Sequence, residues 1–116
     1  MDHRVEQAIN LVETNLKGGI RVDCVAQQLG VSTSHLQHLF KNETGTTLLR
    51  YQQGIRIERA RKLLEETNLS VKQIVSEVGA SDMSHFVRDF SKAQGLSPRR
   101  YRLNFLAQRH DHRIRQ

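Results

Sequence analysis

The apolar positions of this chain recur at helical intervals, and nowhere at the two-residue alternation of a half-buried strand. Val5, Ala8, Ile9, Val12 and Leu16 form the first stripe, which predicts a helix from Asp2 to about Leu16 with Asp2 as N-cap and Gly18-Gly19 as its end. A short second helix, about Val22 to Leu29, buries Val22, Val25, Ala26 and Leu29, and Gly30 then supplies a turn that a side chain would resist. Its cap is weak, because Arg21 stands where Ser or Thr would serve better. Ser32 caps a third helix, about Thr33 to Glu43, with Leu36, Leu39 and Phe40 in one stripe and Gly45 as the stop. Thr47 opens a long fourth helix to about Glu66, whose buried side holds Leu48, Tyr51, Ile55, Ala60, Leu63 and Leu64. Ser70 with Gln73 predicts a capping box at the start of a fifth, closed by Gly79. Ser81 or Asp82 caps a sixth, about Met83 to Ala93, with Phe86 and Phe90 inward and Gly95 at its end. Ser97-Pro98 restarts a seventh, cap and first-turn proline in the favoured order. The fold class is therefore all-α, with about seven helices.

The pattern is duplicated. Val22, Val25, Ala26, Leu29, Gly30 and Ser32 return 49 residues later as Val71, Ile74, Val75, Val78, Gly79 and Ser81. One residue is then inserted, and His35, Leu36, Phe40, Gly45 and Tyr51 return as His85, Phe86, Phe90, Gly95 and Tyr101. Each copy reads as helix, glycine turn, helix, the arrangement that presents its second helix to a DNA major groove. The expected organisation is a first helix-turn-helix subdomain over 1–52, a linker helix over 47–66, a second subdomain over 67–108 and a basic tail over 109–116. Some 19 linker residues span ~28 Å, comparable to the ~34 Å turn of duplex DNA, so the linker can hold two readers in successive grooves.

Placing residues at about 100° intervals puts Ser34, Gln37, His38 and Lys41 opposite the buried stripe of the third helix, and Ser84, Val87, Arg88 and Ser91 opposite that of the sixth. These are mostly short or hydrogen-bonding side chains, as a reading face requires. His35 and His85 flank those faces at equivalent positions and read as packing or capping histidines.

Charge changes the picture through its distribution. The net charge is +6, yet residues 1–98 hold 12 Lys+Arg against 11 Asp+Glu, while residues 99–116 hold six Arg against Asp111 alone. A polyanionic partner is expected, with Arg99, Arg100 and Arg102 in a helix and the rest in a solvated tail. A mean hydropathy of −0.58 and the lack of any long apolar run predict a soluble chain with no membrane partner, and the polar start Met1-Asp2-His3-Arg4 points to the cytoplasm. The single cysteine, Cys24, excludes an internal disulfide and a zinc-thiolate cluster. His35 and His38 lack a third ligand, and His110-Asp111-His112 reads as solvated tail, so neither metal, cofactor nor enzymatic activity is expected.

The run Arg56-Ile57-Glu58-Arg59-Ala60-Arg61-Lys62-Leu63-Leu64, then Ile74, Gly79, Ser84-His85-Phe86-Val87-Arg88-Asp89-Phe90, Gly95, Ser97-Pro98 and Tyr101-Arg102 resembles the signature of the AraC/XylS transcription regulators. Val25-Ala26, Leu29-Gly30-Val31-Ser32, His35-Leu36, Leu39-Phe40-Lys41 and Gly45 agree in the first half, so the likeness covers about residues 4–105. The resemblance implies a DNA-binding domain of seven helices with two helix-turn-helix units on a long linker helix, homeodomain-like in each unit. It implies base reading by Thr33, Ser34, Gln37 and His38 in the first unit and by Met83, Ser84, Val87 and Arg88 in the second. Phosphate contacts are expected from Ser32, Lys41, Thr47, Ser81, Ser97, Arg100 and Arg102, at helix starts and on arginines. Ala80 departs from the family, which carries an aromatic residue after the glycine, and Met83 and Val87 suit thymine methyls better than base-edge donors and acceptors.

The expected function is a sequence-specific regulator inserting two recognition helices into successive major grooves of an asymmetric site. Double-stranded DNA is the partner, RNA polymerase a second one if the protein activates transcription, and a monomer suffices unless the chain is part of a longer, dimeric protein. The alternative is a protein-interaction module that binds another regulator or the polymerase without DNA; exposed apolar residues on the reading faces would mark it.

Overall fold

A computed structural model describes residues 1–115, without the side chains of residues 110–115. It contains seven helices: α1 His3–Thr14, α2 Val22–Leu29, α3 Thr33–Thr44, α4 Leu48–Glu66, α5 Val71–Glu77, α6 Met83–Gln94 and α7 Pro98–Arg115. Among the described residues there is no strand, and no helix is long and apolar enough to cross a membrane. Two compact units divide the chain, Met1–Arg56 and Ile57–Gln116, so the division falls inside α4. Each unit has its own apolar core.

The helix starts obey their caps. The Asp2 carboxylate accepts from the Arg4 amide at 2.8 Å, Ser32 from His35 at 3.1 Å, Thr47 from Arg50 at 3.2 Å and Ser97 from Arg100 at 3.2 Å. Ser70 and Gln73 close the full capping box. Asp82 rather than Ser81 caps α6, its carboxylate accepting from the His85 amide at 2.9 Å; a charged acceptor suits the positive end of the helix dipole. Arg21 makes no side-chain cap on α2; the first-turn Asp23 carboxylate instead accepts from the Cys24 amide at 2.9 Å. Gly30 ends α2 at φ +71, a left-handed conformation that costs any L side chain roughly 1–2 kcal/mol.

Two helix ends differ from expectation. Helix α1 stops at Thr14, where Asn15 leaves the helical conformation at φ −118, ψ 27 and its side-chain Nδ2 donates to the Leu11 carbonyl at 2.9 Å; Leu16 is buried all the same. Helix α7 continues to Arg115 across the stretch expected to be a tail. The His110-Asp111-His112 side chains and those of Arg113 and Arg115 lie outside the described residues.

Val5, Ala8, Val12, Leu16, Val25, Ala26, Leu36, Phe40 and Leu48 form the first core. Ile57, Ala60, Leu64, Ile74, Val75, Val78, Phe86 and Phe90 form the second. Val22, Leu29, Leu39, Tyr51, Ile55 and Leu63, read from the sequence as buried, sit half-buried at the rims. Ile57 and Gln52, which the stripe did not single out, are buried. The duplication extends to ring packing: Phe40 meets Tyr51 edge-on at 5.5 Å, and 50 residues later Phe90 meets Tyr101 edge-on at 5.8 Å. Edge-to-face pairing adds about 0.5–1.5 kcal/mol beyond burial, and here it ties α3 to α4 and α6 to α7.

Candidate nucleic-acid interface

In the first unit, α2 and the Gly30 turn set the start of α3, and the burial of Leu36 and Phe40 fixes which face of α3 is turned out. Ser34, Gln37, His38 and Lys41 are exposed and Thr33 is half-buried. His38 Nε2 lies 3.2 Å from Asn42 Nδ2, one turn on. In the second unit the burial of Phe86 and Phe90 does the same for α6, and Met83, Ser84 and Arg88 are exposed. Val87 is half-buried rather than fully outward, as is Ser91, whose hydroxyl donates to the Val87 carbonyl at 2.7 Å. The second face thus offers one exposed cation, one hydroxyl and one large apolar side chain, Met83.

Among the residues expected at phosphates, Ser32, Lys41, Thr47, Ser81 and Arg100 are exposed and Ser97 is half-buried. Arg102 differs. Its guanidinium is half-buried and donates from Nε to the Leu64 carbonyl at 3.1 Å and from Nη2 to the Thr67 carbonyl at 3.1 Å, where α4 ends. The sequence pointed Arg102 at DNA; the fold engages two of its donors as a cap on carbonyls that no helical amide reaches. The first unit has a counterpart that sequence reasoning missed. Arg56 donates from Nε and Nη2 to the Leu16 carbonyl at 3.3 and 3.0 Å, while Gln52 Oε1 accepts from the Ile20 amide at 2.9 Å. Burial pulls the Arg56 guanidinium below its ordinary pKa, with no effect on its charge at neutral pH. A Cβ on Gly19, at φ +78, would stand 3.0 Å from Arg56 Nη2, so this glycine serves both the turn and the guanidinium.

Further charged groups fasten α7 to α4. Arg61 bridges Glu58 and Glu65, the latter at 2.6 Å, and the Tyr101 hydroxyl donates to Glu65. The Arg61 hydrogen bond holds the Glu58 carboxyl below its usual range, and burial together with the Glu65 carboxylate pushes the Tyr101 phenol up. Tyr101 therefore stays a neutral donor. The start of α7, with Arg99 and Arg100 exposed, is thereby held on the second unit. Among the described residues no group of three or more His, Cys, Asp or Glu side chains could hold a metal ion.

A helix-turn-helix domain family matches residues 25–104. The chain is 35% identical over 101 residues to the xylose operon regulatory protein of Escherichia coli strain K12, covering 87% of this chain and 26% of that protein. It spans about a quarter of that relative's length. A crystal structure from Chromobacterium violaceum, a transcriptional regulator described as having an AraC-type DNA-binding domain, superposes with a TM-score of 0.82 at 32% identity, covering 88% of this chain and 91% of that one. The DNA-binding domain of the global transcriptional factor AdpA, solved in complex with a target DNA, shares the fold with a TM-score of 0.86 at 22% identity, covering 93% and 97% of the two chains.

Proposed function

The chain belongs to the AraC/XylS family of transcription regulators, and on that premise we propose that it binds double-stranded DNA sequence-specifically, with α3 and α6 in two successive major grooves. The observation that carries this reading is the duplication: each unit packs a helix-turn-helix on its own core and leaves the outer face of the second helix open. Because the copies follow one another on one chain, the site is asymmetric, its half-sites about 10 bp apart, and one chain suffices to occupy it.

Thr33, Ser34, Gln37 and His38 read the first half-site through hydrogen bonds to base edges. In the second, Arg88 and Ser84 supply hydrogen bonds, and Met83 with the accessible edge of Val87 meets thymine methyls. Ser32, Thr47 and Ser97 use their oxygens to accept from backbone amides, and each hydroxyl keeps an O–H to donate to phosphate. Ser81, Lys41 and Arg100 complete the phosphate contacts, while Arg102 acts through the fold. DNA binding by the AdpA domain supports the reading. Contact with RNA polymerase belongs to the same proposal where the protein activates transcription, as do residence in the cytoplasm and the lack of a catalytic role.

Footprinting on a site selected from random DNA tests it: two protected patches about 10 bp apart are expected. Gln37→Ala should relax preference in one patch and Arg88→Ala in the other, each at a cost of ~1–3 kcal/mol if a bidentate contact is lost. A single patch, indifferent to loss of either side chain, refutes the two-reader arrangement.

A further inference from the structure

The start of the chain is fastened to the first reading helix by a relay of side chains. The Asp2 amide donates to both Glu43 carboxylate oxygens at 3.0 and 2.9 Å, near the end of α3. The Asp2 carboxylate accepts from the Arg4 guanidinium, Oδ1 from Nε at 3.3 Å and Oδ2 from Nη2 at 3.1 Å. The remaining Arg4 nitrogen, Nη1, lies 3.3 Å from Nε2 of His35, in the first turn of α3.

That last contact has one chemical solution. A guanidinium can only donate, so Nε2 of His35 must present its lone pair, and the proton of the neutral ring sits on Nδ1. His85, the equivalent residue of the second unit, is engaged through the opposite nitrogen, its Nδ1 lying 3.4 Å from Asp89 Oδ2. The two histidines of the repeat therefore leave different nitrogens unengaged by these partners: Nδ1–H in the first unit, Nε2 in the second. Both rings are exposed.

We infer that His35 is a further DNA-contacting residue, donating its Nδ1–H to a backbone phosphate beside the first half-site, and that Arg4, held by Asp2, is the positioning residue that sets its tautomer. This rests on the DNA reading above. The first turn of a helix in the major groove stands beside both the base edges, which Thr33 and Ser34 address, and the flanking phosphates, which helix N-termini contact. A neutral N–H donor there orients the helix and carries no sequence preference of its own. Sequence position alone made His35 a packing or capping histidine. Its backbone amide does meet the cap, but its ring is exposed and tied to a cation 31 residues away.

Two measurements test the inference. Long-range nitrogen-15 correlation spectra of the full chain, free of DNA, should show His35 as the Nδ1–H tautomer, and Arg4→Met should return it toward the ordinary mixture dominated by Nε2–H. Binding is then read on the selected site and on unrelated duplex DNA. His35→Asn, whose amide reaches the Nδ1 position, should retain most of the affinity. His35→Gln, which places its amide where Nε2 lies, should lose about tenfold or more on both DNAs alike, the scale of one hydrogen bond to a charged acceptor. Arg4→Met should fall between, with base preference unchanged. An Nε2–H tautomer in the native chain overturns the positioning role. Equal binding by native protein, His35→Asn and His35→Gln overturns the contact while leaving the DNA reading intact. A native chain that binds no duplex at all fails the DNA reading, and with it the contact, whatever the tautomer.

Discussion

Replacing Arg102 by alanine separates a fold role from a phosphate role. The side chain makes two hydrogen bonds of 3.1 Å to the carbonyls of Leu64 and Thr67. A hydrogen bond with a charged partner contributes about 1.5–3 kcal/mol when desolvated, and a cation at a helix C-terminus adds about 0.3–1 kcal/mol through the dipole. Arg102 is half-buried, so water replaces part of each lost bond, and the expected cost is about 2–3 kcal/mol. At roughly 4 °C per kcal/mol for a chain of this size, the melting temperature should fall by about 8–12 °C. Arg100→Ala is the control: its side chain is exposed, and its stability should stay within about 0.5 kcal/mol. In salt-titrated fluorescence anisotropy the two variants should exchange roles. Arg100→Ala should flatten the log–log salt slope by about 0.9, whereas Arg102→Ala, measured well below its melting temperature, should leave the slope unchanged. Arg102→Lys should restore only part of the stability, because an ammonium lacks the rigid, spaced Nε and Nη2 donors that meet the two carbonyls here. An Arg102→Ala protein that melts like the native one and loses a unit of slope would refute the capping role and return Arg102 to the phosphates.

Ser70→Ala removes one side of the capping box on α5 and should cost about 1 kcal/mol in urea unfolding, with Gln73→Ala costing less. Phe90→Ala empties the centre of the second core and removes the edge-on partner of Tyr101; about 3–5 kcal/mol is expected, and disruption of α6 should abolish protection of one half-site only. Acidification should weaken the second unit through Glu58, whose pKa lies below its ordinary value of 4.5 because Arg61 hydrogen-bonds the carboxylate. A lowered carboxylate contributes its stability above 4.5 and loses it as pH falls through the folded value. Glu58 is half-exposed, so the effect is a small one, and Glu58→Gln should flatten that part of the pH–stability curve.

Most features whose cause lies within a few residues are legible in the sequence, the exceptions being the Asn15 end of α1 and the choice of Asp82 over Ser81. Caps at Asp2, Ser32, Thr47, Ser70 and Ser97, a weak start at Arg21 and the Gly30 stop are legible because the donor and acceptor stand two to four positions apart. The stripes that bury Leu36 with Phe40 and Phe86 with Phe90 follow from the helical period, and with them the outward faces of α3 and α6. The duplication also points to two cores, since similar apolar spacings bury similar positions, Phe40 in the first and Phe90 in the second. Long-range partners decided the rest. Arg56 and Arg102 look in sequence like any exposed cation, and the carbonyls they cap lie 40 and 38 residues away. Gln52 is buried because the Ile20 amide needs an acceptor, and no periodicity announces a polar residue inside. Val87 sits on the edge of its stripe, where a small rotation of α6 separates outward from half-buried, and packing sets that rotation. His35 is the sharpest case: its neighbours in sequence define a cap, whereas the nitrogen left to donate is chosen by Arg4, which only the folding of α1 against α3 brings within 3.3 Å.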